Sequence, residues 1–321
     1  MKRTIVACLT LLACLGTGVV QAQDWPQRPV TLILPVPAGN VNDLAARIVA
    51  QELTEIYGQQ FLVENYSGAG GVPGMNKFLS SAADGYTFGF LPGSVVTITP
   101  LLNGDVDYAV FEDFVPVAPV GDVPYIVAVS AASDISSMAT LIERAKSEPG
   151  ALRFASQFIG SGAHLIAERF SAALGIKFTM IPYPGVTEAV TSVVNGESQV
   201  TMQAVSTMKG FIESGQLRPF AVTSAERLRG WPDLPTTSEL QPNTEATAWF
   251  GIFALPDTPA EIIDDLGVKV EQVVNMPEVI ERFENGGIYP IHGRATELAA
   301  KIRAEAPMWE GIVRDAGLLN E

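Results

Sequence analysis

The sequence is poor in the side chains that form disulfides and bind transition metals, because its 321 residues include two cysteines and two histidines. Cys8 and Cys14 both lie in an apolar N-terminal segment. His164 and His292 are far apart in the chain, and no HExxH motif is present. We therefore expect no disulfide, no metal site and no cysteine chemistry in the mature protein.

Basic residues are also scarce, since 20 Lys and Arg oppose 35 Asp and Glu and give a net charge of −15. Nucleic acid is therefore not an expected partner, because phosphates require a basic surface. A small anion is not excluded, because local hydrogen-bond donors rather than net charge set a binding site. After residue 20 there is also no apolar run long enough to span a bilayer.

The first 22 residues have the pattern of a secretory signal peptide. Lys2 and Arg3 form a basic start, Ile5 to Val20 is almost wholly apolar or small, and Val20-Gln21-Ala22 fits a cleavage site. We expect cleavage after Ala22 and export of the mature chain. Two alternatives stay open: a retained membrane anchor, for which the apolar run is short, and a lipoprotein processed at Cys14.

Removal of residues 1–22 would leave 299 of the 321 residues. That length suits two domains or one large α/β unit with a sizeable core. The removed segment contains two basic residues and no acidic residue, so 18 basic residues would then oppose 35 acidic ones. We predict a strongly acidic, globular, exported protein.

The stretch Val30 to Asp43 predicts a buried strand that leads into a helix. Val30 to Val36 is rich in aliphatic residues, Pro37 ends the run, and Gly39 allows a positive φ. Asn40 and Asn42 are both good N-caps, and from Val41 onward the apolar residues fall at helical spacing. A helix N-terminus presents unpaired N–H groups and a positive dipole end, which suit a carboxylate or a phosphate.

The same strand–turn–helix pattern repeats along the chain and predicts an α/β fold with parallel sheets. Three loops, 37–43, 66–74 and 92–97, would lie at one sheet edge, where ligands bind in such folds. Gly70, Gly71 and Ser94 are candidate ligand-binding residues in two of these loops. A second series of strands and helices starts near Pro124, which predicts two lobes.

Catalytic and cofactor motifs are weak. Ser161 and His164 are close in sequence, but Gly160-Ser161-Gly162 is not a nucleophile elbow because residue 159 is Ile. The glycines from Gly68 onward do not complete a dinucleotide fingerprint, because Pro73 stands where the third glycine is required. The four tryptophans are isolated in the sequence and are expected to serve packing. We predict a protein without a cofactor and without catalytic activity; a secreted serine hydrolase is the less favoured alternative.

Several motifs, in order from Trp25 to about Leu318, resemble the Bug-type solute receptors of tripartite tricarboxylate transporters. They are PVPAGNVND, VENYSGAGG, DGYTFG, the segment Ala155 to Leu165, PYPGVTEAV before VVNGESQV, LRPFAVTSAERLRGWPDLPT and WFGIFALPDTP. The resemblance implies a two-lobed periplasmic-binding-protein fold, each lobe a mostly parallel sheet flanked by helices, with a ligand cleft between the lobes. We expect the first lobe to comprise residues 23–122 and 248–321, and the second lobe 123–247.

The resemblance also implies a periplasmic, monomeric protein that captures a small organic acid anion and delivers it to the membrane permease subunits of such a transporter. In the family, loops of both lobes hold a carboxylate. Carried over by matching motifs, the ligand-binding residues would be Pro37, Ala38, Gly39, Asp43, Ser156, Gly160, Ser161, His164 and Tyr183. A receptor that binds the same ligand but signals to a sensor protein is the open alternative.

Three positions depart from the family pattern and bear on the ligand. Asn40 stands where a second glycine is common, Phe158 replaces a frequent glycine, and Gln203 stands where many members have an acidic residue. The missing acid disfavours an amino-acid ligand, and Phe158 adds apolar bulk. We therefore expect Asn40, Phe158 and Gln203 to contact an aromatic carboxylate or a longer-chain dicarboxylate.

Overall fold

A computed structural model describes residues 25–104, 106, 108–157, 161–242, 244–315 and 317–319. The predicted signal segment, with Cys8, Cys14 and the cleavage point after Ala22, lies outside the described residues. Phe158 and Gly160 of the predicted site also lie outside them. Within the described residues, no helix is both long enough and apolar enough to cross a bilayer.

The strands lie between residue 30 and residue 290 of the chain. They are β1 (Val30–Leu34), β2 (Phe61–Asn65), β3 (Thr87–Pro92), β4 (Val115–Val123), β5 (Tyr125–Ser130), β6 (Arg153–Ser156), β7 (Thr179–Pro182), β8 (Val200–Ala204), β9 (Leu217–Val222), β10 (Ala248–Ala254) and β11 (Tyr289–Pro290). In the described part of the chain they form two sheets, with the orders β11-β4-β10-β3-β1-β2 and β7-β6-β8-β5-β9.

Helices connect most of these strands, and a 3₁₀ turn, Ala69–Gly71, precedes the second helix. They are α1 (Val41–Tyr57), α2 (Val72–Leu79), α3 (Gly93–Thr97), α4 (Thr99–Leu102), α5 (Met138–Ser147), α6 (Gly162–Leu174), α7 (Val186–Val194), α8 (Val205–Glu213), α9 (Thr237–Leu240), α10 (Ala260–Val274), α11 (Pro277–Asn285) and α12 (Ala295–Asp315). We call the six-stranded sheet with its helices the first lobe and the five-stranded sheet with its helices the second lobe.

The two-lobed α/β architecture is the one predicted, but the sheets are mixed rather than mostly parallel. In the first sheet β1 pairs in parallel with β2 and β3, whereas β10 and β4 run antiparallel to their neighbours. In the second sheet β6 is parallel to β7 and β8, whereas β5 is antiparallel to β8 and β9. The chain passes between the lobes through antiparallel strands. Strand β4 of the first lobe leads directly into β5 of the second, and β10 returns the chain to the first lobe.

Strand β4 was not predicted from the sequence, because it contains Pro116 and Pro119. Proline cannot donate to a ladder and is normally excluded from inner strands. Here β4 lies between β10 and β11, and its pairing with β10 shifts register between Phe250 and Gly251 and between Ile252 and Phe253. The partners on either side of these shifts include both prolines, so the bulges accommodate residues that a regular ladder would reject.

Each sheet buries its own apolar residues, and a further cluster joins the lobes. The cluster contains Ile98 after α3, Leu165 on α6 and the α12 residues Trp309, Ile312 and Val313, all buried. Helix α12 packs on β4 of the first lobe and also on α6 of the second. Its C-terminal half therefore lies against the interface of the two lobes rather than against the first lobe alone.

Candidate functional site

A cavity of about 240 Å³ lies between the lobes and is lined by residues of both. Much of its wall is made by residues at helix starts. These are Val41, Asn42, Gly93, Ser94, Gly162 and Ala204.

Helices α1, α6 and α8 therefore direct their N-termini toward one cavity, α1 from the first lobe and α6 and α8 from the second. Val41 and Asn42 open α1, Gly162 opens α6, and Ala204 is the N-cap of α8. The first N–H groups of a helix have no intrahelical acceptor, and the helix dipole makes this end positive. The arrangement suits a small anion that is held mainly by main-chain donors.

The start of α1 is fixed by a polar network around the buried carboxylate of Asp43. Its Oδ2 accepts hydrogen bonds from the backbone N–H of Gly39 (2.9 Å) and from Nε of Arg47 (3.0 Å). Its Oδ1 accepts one from Nδ2 of Asn65 (2.9 Å), while the backbone N–H of Asp43 donates to Oδ1 of Asn40 (2.9 Å). Burial opposes ionisation, but the hydrogen bonds from Arg47, Gly39 and Asn65 outweigh it and lower the pKa of Asp43.

Ser161, the candidate nucleophile of the hydrolase alternative, lies at the start of α6. Ser161 is the N-cap, and its Oγ accepts a hydrogen bond from the backbone N–H of His164 at 3.3 Å. The His164 imidazole points along the helix toward Glu168, with Nε2 3.5 Å from Oε1. Ser161 and His164 are both 4% exposed. The pair is thus placed as a helix cap and a buried intrahelical contact.

Tyr125 adds a side-chain hydroxyl to the cavity wall next to the start of α6. It is the first residue of β5, and its Oη lies 2.9 Å from the point where a Cβ on Gly162 would stand. Burial raises the pKa of Tyr125 to about 12, so the phenol keeps its proton at neutral pH. Because residue 162 is glycine, the Tyr125 hydroxyl can lie close to the N-terminus of α6.

Two tryptophans and one acid form another part of the wall. The indole of Trp249 lies over Gly93, so closely that a Cβ at 93 would be 2.4 Å from its Cε2. The indole Nε1 of Trp249 donates to Oε2 of Glu305 at 2.7 Å, and Trp309 follows on the same helix as Glu305. Trp249 and Trp309 are 3% and 5% exposed. Both serve packing, as expected, and both also line the cavity.

The carboxyl group of Asp122, near the point where β4 crosses to β5, lies behind Thr247, a lining residue. Burial raises the pKa of Asp122 to about 7, although a hydrogen bond with Thr247 and the charge of Lys301 act in the opposite direction. The charges of Glu245 and Glu305 raise it further. Asp122 is therefore a carboxyl group that titrates near neutral pH at the crossing between the lobes.

Among the predicted site residues that the structure describes, Ser94 lines the cavity directly. Others lie next to lining residues and shape them. Asn40 and Asp43 flank Val41 and Asn42, Ser161 precedes Gly162, and Gln203 precedes Ala204. The Gln203 amide is buried and donates to Oγ1 of Thr201 at 3.3 Å.

The remaining predicted residues are not among those that line the cavity. Pro37, Ala38 and Gly39 are exposed on the loop before α1. Gly70 accepts a hydrogen bond from the Thr99 hydroxyl (3.0 Å), and the N–H of Gly71 donates to the carbonyl of Gly68 (2.8 Å). Other internal hydrogen bonds are made by Ser156, whose Oγ donates to the Gln157 carbonyl (2.9 Å), and by Tyr183, whose hydroxyl pairs with that of Ser198 (3.2 Å).

Sequence reasoning missed Tyr125, Thr247, Trp249, Glu305 and Trp309 as lining residues. Tyr125 begins an apolar strand and carries no motif, and Glu305 is one of many acids in an amphipathic helix. Only the return of the chain through β10 and the position of α12 across the lobes bring these residues together. No motif in the sequence links Trp249 and Trp309, which are 60 positions apart.

Comparison with known families gives a match over most of the chain. The profile of the tripartite tricarboxylate transporter family receptor matches residues 45–318. Protein BugT of Bordetella pertussis (strain Tohama I) is 34% identical over 320 residues, which covers 99% of this chain and 98% of BugT.

Solved structures show the same architecture. A TctC solute-binding protein from Polaromonas superposes with a TM-score of 0.80 at 24% identity and covers 91% of this chain and 99% of its own; at that identity it supports the fold alone. Rpa4515 of R. palustris, solved with adipate, has a TM-score of 0.71 at 30% identity and covers 91% of this chain and 98% of its own.

Proposed function

The chain belongs to the receptor family of tripartite tricarboxylate transporters, as the resemblance predicted, and on this premise we propose that it captures a small carboxylate in the interlobe cavity. It then delivers this anion to the permease subunits of such a transporter. The lobes that close on the ligand are residues 23–122 with 248–321, and residues 123–247. Export to the periplasm would follow from cleavage after Ala22.

The convergence of the N-termini of α1, α6 and α8 on one cavity carries this proposal. Among the described residues that line the cavity there is no lysine or arginine. Backbone N–H groups and the dipoles of helices from both lobes are therefore the groups available to a carboxylate. An anion that bridges donors of both lobes would stabilise the closed arrangement.

In this proposal the loops predicted from the sequence position the helix starts. Gly39, Asn40 and Asp43 form the hydrogen-bonded turn at the start of α1, and Ser161 caps α6. Gln203 directly precedes Ala204, the N-cap of α8, whereas Gly70, Gly71 and Tyr183 make internal hydrogen bonds away from the cavity lining. We propose that the turn before α1 and the cap of α6 set the direction of the N–H groups, whereas Ser94 contacts the ligand.

Replacement of Ala204 by Asp tests the site without weakening the fold. Aspartate is a good N-cap, so α8 should be as stable as before or more stable. Its carboxylate, however, would occupy the positive helix end that the ligand uses. Calorimetric titration with a panel of monocarboxylates and dicarboxylates should show binding to the native protein and none to Ala204→Asp. Ala204→Ser, a neutral cap, is the matched control and should bind within about threefold of the native protein.

The outcome that contradicts capture at this cavity is unchanged affinity in Ala204→Asp with an intact thermal transition. Binding of the neutral amides of the same acids as tightly as the acids would contradict anion recognition. A ligand at a hundredfold its Kd should stabilise the protein by about 2.7 kcal/mol, which a thermal-shift assay detects.

Two other functions are separated by further measurements. A receptor that signals rather than transports would, on gene deletion, lose transcriptional induction by the ligand but keep its uptake. A serine hydrolase would convert a bound ester and lose that turnover in Ser161→Ala. The Oγ of Ser161 caps α6 and His164 points to Glu168, so these contacts of the described residues do not favour hydrolysis.

A further inference from the structure

Among the described residues that line the cavity, Glu305 is the charged one. Its side chain is held in place from several sides. Nε1 of Trp249 donates to Oε2 at 2.7 Å, Nζ of Lys301 lies 2.9 Å from Oε1, and Nη1 of Arg169 lies 4.0 Å from Oε1. Neither Lys301 nor Arg169 lines the cavity. A bound molecule therefore meets the carboxylate of Glu305 and not the cations behind it.

The wall around Glu305 is apolar. Trp249 and Trp309 flank it, and Ile98, Leu165 and Ile166 continue the surface. These side chains can cover a ring or an alkyl chain, but they offer no partner for a second charged group. Burial of an unpaired carboxylate against such a surface is costly.

The size of the cavity also disfavours a second charged group on the ligand. The cavity of about 240 Å³ has room for several water molecules and so for a small organic acid. A molecule of that size that places one carboxylate at the helix starts has its remaining atoms close to the tryptophans and Glu305.

We propose that this cavity selects monocarboxylates with an apolar remainder and that Glu305 is the residue that rejects dicarboxylates. The inference rests on the proposed capture of a carboxylate and narrows its ligand. Of the two ligand types expected from the sequence, it favours the aromatic carboxylate over the longer-chain dicarboxylate.

A zwitterionic ligand, with its cation against Glu305, is the competing interpretation. Glu305 already has Lys301 at 2.9 Å, and Arg169 is close behind it. The carboxylate therefore does not require a further cation. An added ammonium group would be buried near two cations and among apolar side chains, which is unfavourable.

Three six-carbon acids that differ only at the far end provide the test: hexanoate, adipate and 6-aminohexanoate. Calorimetric titrations of the native protein at pH 8, with benzoate as an aromatic reference, should show binding of hexanoate and benzoate. Adipate and 6-aminohexanoate should each bind at least about tenfold more weakly than hexanoate. Adipate binding as tightly as hexanoate would overturn the inference, and so would tighter binding of 6-aminohexanoate.

Two variants assign the selectivity to Glu305. In Glu305→Gln, which keeps an acceptor for Trp249, the difference between hexanoate and adipate should shrink to less than about threefold. In Lys301→Met, which leaves the Glu305 charge less compensated, the difference should grow. An unchanged ratio in either folded variant would contradict the role of Glu305, and Lys301→Met decides the question if Glu305→Gln does not fold.

Failure of this inference is distinguishable from failure of the proposed function. If adipate binds well, a carboxylate is still captured and only the selectivity is wrong. If none of the four acids nor any member of the wider acid panel binds, the capture of a carboxylate is itself contradicted.

Discussion

The carboxylate of Asp43 accepts a hydrogen bond from the backbone N–H of Gly39 at 2.9 Å and so closes the loop before α1. Gly39 itself has a φ of +84°, in the left-handed region that favours glycine. The turn is thus formed by a residue that permits it and held by a carboxylate four positions later. Asp43 acts on the loop, because a negatively charged side chain repels an anionic ligand.

Asp43→Ala should weaken carboxylate binding by about tenfold or more and lower the free energy of unfolding by about 2 kcal/mol. The reason is that Gly39, Arg47 and Asn65 all lose their shared acceptor. Urea unfolding and calorimetric titration measure the two effects. Asp84→Ala is the matched control, since Asp84 pairs with Arg28 on the exposed surface and its removal should cost less than about 1 kcal/mol. Unchanged affinity in folded Asp43→Ala would show that the loop does not shape the site.

The accuracy of the sequence-based prediction differs between local and long-range features. The buried strand predicted from Val30 is β1 (Val30–Leu34), and the helix predicted from Val41 is α1 (Val41–Tyr57). Asn40 caps α1 as its residue type indicates. These features depend on neighbours within one or two turns, so composition and periodicity are sufficient to predict them.

Features that depend on distant residues were not predictable in the same way. Strand β4 contains two prolines, and only its bulged pairing with β10 shows how they are tolerated. Glu305 meets Trp249 across 56 positions of the chain. No local pattern marks that contact. Residues of the predicted loops 37–43 and 92–97 line the cavity, whereas none of loop 66–74 does, and the far wall was not predicted.

Tyr125→Phe should reduce affinity for a monocarboxylate by about three- to tenfold, because it removes a neutral hydrogen-bond donor from the cavity wall. The loss should appear at pH 7, where a tyrosine phenol is protonated; burial raises the pKa of Tyr125 further, to about 12. Tyr183→Phe is the matched control: its hydroxyl pairs with Ser198 away from the cavity, so affinity should not change. Equal losses in both variants, or none in Tyr125→Phe, would contradict the contact of Tyr125 with the ligand.

Asp122→Asn should remove a pH dependence of stability between about pH 4 and pH 7. The pKa of Asp122 is raised by burial to about 7 in the folded state, whereas an unfolded aspartate titrates near 3.9. The folded protein therefore binds the proton more tightly, and the contribution of Asp122 to stability falls as the pH rises through this interval. Above pH 7 the variant should be more stable than the native protein by about 2 kcal/mol.

Urea unfolding of native protein and Asp122→Asn at pH 4.5, 6 and 8 measures this difference. Thr247, Lys301, Glu245 and Glu305 also act on this carboxyl group and are common to both proteins. Their own titrations should largely cancel in the difference, whereas their interactions with the Asp122 charge are part of what the difference measures. A difference that stays constant with pH would show that the pKa of Asp122 is not raised.

Gly93→Ala should destabilise the protein by about 1–3 kcal/mol and also weaken ligand binding. A Cβ at residue 93 would be 2.4 Å from Cε2 and 2.6 Å from Nε1 of Trp249, so the indole must move. Movement of the indole also disturbs its hydrogen bond to Glu305 and the cavity wall that both residues form. Gly210→Ala, in the interior of α8 with nothing within 4 Å of the added Cβ, should instead stabilise the protein by about 0.5–1 kcal/mol. If Gly93→Ala destabilises the protein and Gly210→Ala stabilises it, the destabilisation is due to contact with Trp249 and not to the loss of a glycine as such. A stabilised Gly93→Ala with native affinity would contradict the packing of the indole on α3.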